Sequence, residues 1–287
     1  MSTPNAFYGR EQEIAWLREH FDAIATRGVD GQFPGPRMAV VLAETGLGKS
    51  RLVQELYLRL TNDERWDPPA CNYWPDAFRS VHDQVHVNPD MHGHVPAGPP
   101  RFMWLGVRWQ PTDIRNTSSR SVLPNLRCEI GVHTATIERH RGVLASAMRR
   151  AEQTLRNDAI GEMVEQVADN LLPFGGLLTK LAGGIKRFAC EQRNASESHS
   201  DMAQDQAKDI IEDLLDCFAA LLEGRHAVPA VLWLDDAQWI DPQTGEFLGQ
   251  LWSRARLRHW PLLIVSTHWE REWREISQRK SPTWPPT

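Results

Sequence analysis

The residues best suited to chemistry lie in a glycine-rich segment at 43–50, AETGLGKS. It follows the P-loop pattern G-x-x-x-x-G-K-[ST] at every position except the first. Gly46 and Gly48 allow backbone conformations in which N–H groups point at phosphate oxygens. We expect Lys49 to reach the β- and γ-phosphates of a nucleotide and Ser50 to offer its hydroxyl to Mg²⁺. The alternative is a chance match within a glycine-rich turn.

Two carboxylates, Asp235 and Asp236, follow the apolar run VLWL at 231–234. This is the Walker B arrangement, in which a buried strand ends on a carboxylate that faces the Mg²⁺ shell. We therefore expect Asp235 near the metal and Asp236 beside the attacking water as a general base. We also expect this strand to lie beside the strand that precedes the glycine-rich segment. The alternative is that both aspartates merely start a loop, where Asp is favoured.

The elements that must position these groups alternate between strands and helices. Apolar runs and helical periodicity predict strands at 38–43, 101–109, 230–235 and 261–267, and helices at 11–27, 49–60, 137–172, 205–223 and 242–257. Such alternation is typical of an α/β fold with a parallel sheet and helices on both faces. The first helix should bury Ile14, Leu17, Phe21 and Ile24, and the helix at 205–223 should bury Ile210, Ile211, Leu214, Leu215, Phe218 and Leu222.

The predicted site residues divide the chain into three parts. Residues 1–66 carry the glycine-rich segment, and residues 226–287 carry the acidic strand and the strand after it. Between them, 67–225 is predicted to be a long insertion with loop-rich and helical segments, including a polar linker at 191–206.

Charge and hydropathy restrict the cellular setting. The net charge of −5 makes a nucleic-acid partner unexpected, since no basic surplus is present. No apolar run is long enough to span a bilayer, and the first residues lack the pattern of a signal peptide. We therefore expect a cytoplasmic protein with no membrane span.

Four blocks together resemble the AAA-type ATPase domain of STAND proteins (signal-transduction ATPases with numerous domains). The blocks are FYGRE at 7–11, AETGLGKSRLVQEL at 43–56, LDDAQWIDPQT at 234–244 and PLLIVSTHWERE at 261–272. They are similar to the family's vGRE, GExGxGKSRLxxEL, LDDxHWADxxT and PLLLLxTxRxxE, and they occur in the family's order.

The resemblance implies a P-loop nucleotide switch that binds ATP with Mg²⁺, hydrolyses it slowly and opens or oligomerises in the ATP state. It also implies an unknown protein partner in signalling, defence or transcription control. Gly9 and Arg10 would lie near the adenine, and Thr267 would sense the γ-phosphate, as a catalytic group beside Lys49 and Asp236. The implied nucleotide-binding set is completed by Thr45, Gly46, Leu47, Gly48, Ser50 and Arg51, and the metal set is Ser50 with Asp235.

Three departures from the family pattern leave other hypotheses open. Ala43 replaces the first glycine, His268 and Trp269 follow Thr267 where the family has an arginine, and the chain is expected to stop before the family's lid. These departures favour a nucleotide-binding interaction module that hydrolyses nothing. A DNA-linked AAA-type ATPase is a third hypothesis, which the negative net charge disfavours.

Histidine and cysteine form weaker patterns. The histidines at 82, 86, 92 and 94 lie near Cys71 and suggest either a zinc site or a solvated His-rich loop, and we favour the loop. No cysteine belongs to a C-x-x-C pair, so Cys71, Cys128, Cys190 and Cys217 are predicted to be buried thiols.

Two basic segments also allow two interpretations each. Arg254, Arg256 and Arg258 could act on a neighbouring copy's γ-phosphate, although solvated charge at a helix C-terminus is the favoured interpretation. Residues 174–189 combine apolar and basic side chains and could lie on a membrane surface. We favour packing inside the protein or on a partner helix.

Overall fold

The computed structural model describes residues 9–63, 86–88, 101–109, 122–123, 126–127, 130, 200–223 and 227–277. The chain forms two compact units, one of Met1–Leu123 with Leu222–Thr287 and the other of Pro124–Leu221. All of the predicted site residues belong to the first unit.

The first unit is an α/β unit with a four-stranded, all-parallel sheet. Its elements are α1 (Glu11–Ala25), β1 (Arg37–Leu42), α2 (Lys49–Thr61), β2 (Met103–Arg108), β3 (Ala230–Asp235), a 3₁₀ turn (Ala237–Trp239), α4 (Pro242–Arg258), β4 (Leu262–His268) and α5 (Glu270–Ser277). The strand order is β1-β4-β3-β2. The predicted α/β class and parallel sheet are therefore confirmed. Helix α3 (Ser200–Leu222) belongs to the second unit except for its last residue.

The prediction that β3 lies beside β1 is wrong, because β4 lies between them. Val41 of β1 is in register with Thr267 of β4, and Leu234 of β3 is in register with Ser266. All four strands are short and mostly apolar, so their composition does not reveal which strands are neighbours; β2, β3 and β4 are largely buried, whereas Ala39 is the one buried residue of β1. This strand order matters for the chemistry of the site. It places Thr267 of β4 between the loop after β1 and the two carboxylates at the end of β3.

Aromatic side chains join α1 and α2 to the sheet. Tyr57 of α2 contacts Phe102 and Trp104 with ring centroids 6.0 and 5.2 Å apart, and Trp104 contacts Trp233 of β3 at 6.1 Å. Phe21 of α1 lies against Phe102 at 5.9 Å. These pairs are edge-on, the arrangement that the ring quadrupoles favour. Since all five rings are buried, they fix α2, whose first turn belongs to the candidate site, relative to β2 and β3.

A short segment at 86–88 covers β2. The Asn88 side chain donates to the Gly106 carbonyl at 2.9 Å and accepts from the Gly106 N–H at 2.6 Å. The Trp104 indole donates to the Val87 carbonyl at 3.0 Å. A Cβ on Gly106 would lie 2.2 Å from the Val87 carbonyl oxygen, so only glycine fits.

The helices agree with the sequence predictions in part. Helix α1 ends at Ala25 rather than residue 27, and its four predicted core residues are buried. The linker prediction is wrong for 200–204, because α3 begins at Ser200 and not at the predicted residue 205. That stretch starts with Ser and Asp, which suit a helix N-terminus, and it contains no Gly or Pro. In α3, Ile210 is only half-buried, while the other predicted core residues are buried. Helix α5 was not predicted.

Cys217 lies within the described residues and is a buried free thiol, as predicted. Burial raises the pKa of its thiol to about 12, so the group is protonated at neutral pH. Cys71, Cys128 and Cys190, with the predicted segments at 137–172 and 174–189, lie outside the described residues. Within the described ranges, no helix is both long and apolar enough to cross a membrane.

Candidate functional site

The loop between β1 and α2 is built by its glycines. Gly46 and Gly48 have φ values of +81° and +75°, a region that side chains disfavour, as the sequence predicted. No atom lies within 4 Å of a Cβ placed on either residue, so the need for glycine is conformational rather than steric. Residues 44–48 are exposed. Among the described residues only Asp236 and His259 combine a side chain with a positive φ. Ala43 is therefore not in the left-handed region, and its methyl group is compatible with this backbone.

Lys49 is folded back against the start of this loop. Its side chain is nearly buried, with 6% of the residue exposed. The ammonium donates to the carbonyls of Ala43 at 3.1 Å and Glu44 at 3.2 Å. An ammonium has three N–H donors, and these two bonds hold the charge at the loop while leaving capacity for a ligand oxygen.

A hydroxyl pair meets a buried carboxylate at the carboxyl edge of the sheet. The Ser50 hydroxyl donates to Asp235 Oδ1 at 2.9 Å, and the Thr267 hydroxyl donates to the same oxygen at 2.8 Å. Asp235 is fully buried. Its other oxygen, Oδ2, accepts no hydrogen bond from the described part of the chain. The fold thus joins residues that are 185 positions apart in sequence.

Burial raises the pKa of Asp235 above its ordinary value, and the charge of Asp236 acts in the same direction. Hydrogen bonds from Thr267 and Ser50 and the charge of Arg108 oppose this rise in the pKa. A buried carboxylate with one oxygen lacking a hydrogen bond gains from a nearby cation. Ser50 and Asp235 together offer the oxygen ligands that Mg²⁺ prefers.

The described residues contain no group of three or more His, Cys, Asp or Glu side chains that could hold a metal ion. His86 is exposed, and its carbonyl accepts a hydrogen bond from Gln54 at 2.9 Å. The other members of the predicted His-rich cluster lie outside the described residues.

Asp236 adopts an unusual backbone conformation, with φ of +54°. Asp is one of the few residues that tolerate this region. Its N–H donates to the Thr267 hydroxyl at 3.1 Å, so Thr267 links the two aspartates. Its Oδ1 accepts from the Trp269 indole at 3.0 Å and from the Gln238 amide at 3.5 Å. Strain of this kind is often found at functional sites.

Arg108 is a member of the site that the sequence analysis missed. It is the last residue of β2 and is in register with Asp235. Its Nε lies 3.4 Å from Asp235 Oδ2 and 3.9 Å from Asp236 Oδ2. The sequence contained one indication of this role, since Arg108 is a charged residue near the end of a predicted apolar strand. The sequence does not show, however, that this strand lies beside the strand that ends at Asp235. Trp269 and Gln238 were missed for the same reason.

Arg10 links the first block of the resemblance to the glycine-rich loop. Its Nη2 donates to the Leu47 carbonyl at 2.7 Å, although the two residues are 37 positions apart. Gly9, the residue before it, has φ of +83°. Arg51 pairs with Glu55 along α2 at 3.7 Å. The structure thus brings Arg10 to the loop, while the placement of Gly9 and Arg10 at an adenine stays a prediction.

The third block also contains a helix cap. Asp241 accepts from the Thr244 N–H at 2.9 Å and from the Thr244 hydroxyl at 2.6 Å, which satisfies the start of α4. At the other end of α4, Arg254, Arg256 and Arg258 are exposed. Exposure agrees with solvated charge, and a role on a neighbouring copy stays a prediction.

His268 ends β4 beside the site and is 1% exposed. Burial, with the positive charge of Lys49, lowers the pKa of its imidazole to about 4. Neither ring nitrogen has a hydrogen-bond partner among the described residues, and the ring lies 4.6 Å from that of Trp273. His268 is therefore neutral at pH 7 and does not replace the positive charge of an arginine.

No protein-family model matches this chain, and no match was found among curated proteins.

Proposed function

We propose that this protein is a P-loop nucleotide switch of the STAND class that binds ATP with Mg²⁺ and hydrolyses it slowly. The observation that carries the proposal is the hydrogen bond from Ser50 to Asp235, next to Lys49 and a loop with two positive-φ glycines. A hydroxyl at a helix start and a buried carboxylate at a strand end are the pair that holds Mg²⁺ in P-loop proteins.

The chain's own groups divide the work of binding. The backbone of the exposed residues 44–48 and the N-terminus of α2 favour a phosphate group. Lys49 supplies positive charge at the same loop. Ser50 and Asp235 would hold Mg²⁺, which when bound neutralises phosphate charge and orients the phosphates. Electrostatic positioning of this kind contributes most of the catalysis in phosphoryl transfer.

Asp236 would act on the attacking water directly, and Thr267 would act through the two aspartates. Asp236 would orient the water, and Thr267 would hold the two aspartates in their relative positions through its hydrogen bonds to both. Asp236 is already engaged by Trp269 and lies near Arg108. Since Asp236 Oδ1 already accepts hydrogen bonds from Trp269 and Gln238, it has less capacity to orient a water, which supports slow turnover. The resemblance alone supports a cytoplasmic setting, self-association in the ATP state and an unknown protein partner.

The hydrogen bond from Trp269 to Asp236 favours one second candidate, a module that binds nucleotide and does not hydrolyse it. An Asp236 that never leaves the Trp269 indole would leave the water without a base. The two candidates share the binding site and differ only in turnover.

The Asp236→Asn variant tests the proposal, because it keeps the size of the side chain and removes its basicity. We expect Mg·ATP affinity within about threefold of wild type and a loss of turnover of roughly 100-fold or more. Phosphate release and calorimetry provide the two measurements, with Glu246→Gln on the exposed face of α4 as a matched control. Undiminished turnover would remove Asp236 from this role, and wild-type binding without any turnover would establish the non-hydrolysing module.

A further inference from the structure

Trp269 contacts the candidate base and directly precedes the last described helix, α5. Its indole N–H donates to Asp236 Oδ1 at 3.0 Å. Its backbone N–H donates to Gln238 Oε1 at 3.3 Å, and its carbonyl accepts from the Trp273 N–H at 2.9 Å, in the first turn of α5. One residue therefore joins the carboxylate, the 3₁₀ turn after β3 and α5.

The packing around Trp269 reinforces this connection. Its ring lies edge-on to that of Trp239, with centroids 5.9 Å apart. Gln238 and Trp239 both belong to the 3₁₀ turn that directly follows Asp236. Asp236 and Trp269 are half-buried, so their hydrogen bond is partly shielded from water and is stronger than an exposed one.

The hydrogen bonds of Asp236 define its state in this structure. Oδ1 is engaged by the Trp269 indole and the Gln238 amide, and Oδ2 lies 3.9 Å from Arg108 Nε. An oxygen that already accepts two hydrogen bonds has little capacity left for a water molecule. For Oδ1 to orient a water, Asp236 would give up part of this arrangement, and the Trp269 indole is the shortest contact that it would lose.

We propose that Trp269 is a positioning residue that restrains Asp236, and that release of Asp236 from the indole transmits the state of the nucleotide site to α5. This inference rests on the proposed function. The coupling is local, since Asp236 cannot turn away without removing one of the contacts that hold the residue before α5. The two states required are the indole bonded to Asp236 and the indole free of it.

The Trp269→Phe variant tests the restraint, because it keeps an aromatic ring beside Trp239 and removes the N–H donor. We expect kcat to rise roughly five- to tenfold, the size of one ordinary net hydrogen bond, with Mg·ATP affinity unchanged. A merely structural role for Trp269 would lower kcat or affinity instead. Trp16→Phe is the matched control, since Trp16 is exposed on α1, and it should leave both quantities at their wild-type values.

Hydrogen–deuterium exchange of residues 270–277 tests the coupling. In wild type we expect the β,γ-imido analogue of ATP with Mg²⁺ to change the exchange of this segment. In Trp269→Phe the difference between free and bound protein should disappear. Wild-type binding without any change in the segment, or an equal change in the variant, would overturn the coupling.

Calorimetry with Mg·ATP and the turnover measurement separate the two proposals. If wild type binds no nucleotide by calorimetry, both the proposed function and the coupling are rejected. If wild type binds and turns over ATP while the kcat of Trp269→Phe is unchanged or lower, the restraint alone is rejected. If wild type binds without turnover, the exchange measurement decides the coupling.

Discussion

The two halves of the candidate site are built in opposite ways. The loop after β1 consists mainly of backbone, is exposed at 44–48 and owes its shape to two glycines with open space around them. The end of β3 consists of side chains. Asp235 is fully buried, and Asp236 is held by the Trp269 indole.

This difference suggests a division of labour between affinity and control. An exposed loop can accept phosphate without rearrangement, whereas a carboxylate that already has hydrogen-bond partners must exchange some of them before it can act. Substitutions in the loop should therefore affect binding. Substitutions at the strand ends should affect metal dependence, turnover and stability.

The largest expected effect comes from removing the charge at the end of β3. In Asp235→Asn we expect turnover to fall roughly 1,000-fold, because the Mg²⁺ shell loses its carboxylate. ATP affinity measured without Mg²⁺ should not fall, since a negative charge near the phosphates has been removed. Calorimetry with and without Mg²⁺ checks this, with Glu246→Gln as control. An unchanged Mg²⁺ dependence would contradict the division between the two halves.

A smaller effect is expected at Gly106, where glycine is required for steric reasons and not, as at Gly46 and Gly48, for its backbone conformation. Gly106→Ala should destabilise the protein by about 3 kcal/mol, because the new methyl group would collide with the backbone at Val87. The control is Gly249→Ala in α4, where nothing lies within 4 Å, and it should stabilise the protein by up to about 1 kcal/mol. Urea denaturation measures both. Equal stability of the two variants would show that the 86–88 segment does not cover β2 in solution.

The smallest effect concerns His268, at the end of β4. Because burial lowers its pKa to about 4, the unfolded chain binds more protons than the folded chain between the two pKa values. Stability contributed by neutral His268 is therefore present above its unfolded pKa of about 6.5 and is lost as the pH falls toward 4.

The loss should reach about 2 kcal/mol between pH 6.5 and pH 5. Urea denaturation at several pH values measures it, and the His268→Phe variant provides the reference. Asp235, whose pKa is raised by burial, has the opposite pH dependence, and subtraction of the variant's curve removes this contribution. Parallel curves for the two proteins would mean that His268 is accessible to water.

Local patterns predicted much of this architecture. The glycines, Lys49 and Ser50 were found because their roles depend on positions within one loop. Strand β3 was predicted at its observed bounds, since an apolar run ending in two aspartates is distinctive. Asp241 and Thr244 form the cap of α4, which was not predicted.

What the sequence did not reveal depends on neighbours in space. The strand order was wrong because buried parallel strands have similar compositions. Arg108 and Trp269 were missed because each meets the aspartates from the end of another strand, Arg108 being 127 positions from Asp235 and Trp269 33 positions from Asp236 in sequence. The start of α3 was misplaced because polar composition suggested a linker, although the same residues are good helix formers.

Calorimetric titration of wild type and Lys49→Ala with Mg·ATP tests the central claim most directly. Lys49 is held against the loop by two carbonyls, and its charge-assisted bonds to phosphate should contribute roughly 3 kcal/mol, or about 100-fold in affinity. The account predicts measurable binding by wild type and its loss in the variant, while both proteins keep the same thermal stability within a few degrees. Equal binding by the two proteins, or no binding by wild type, would contradict it.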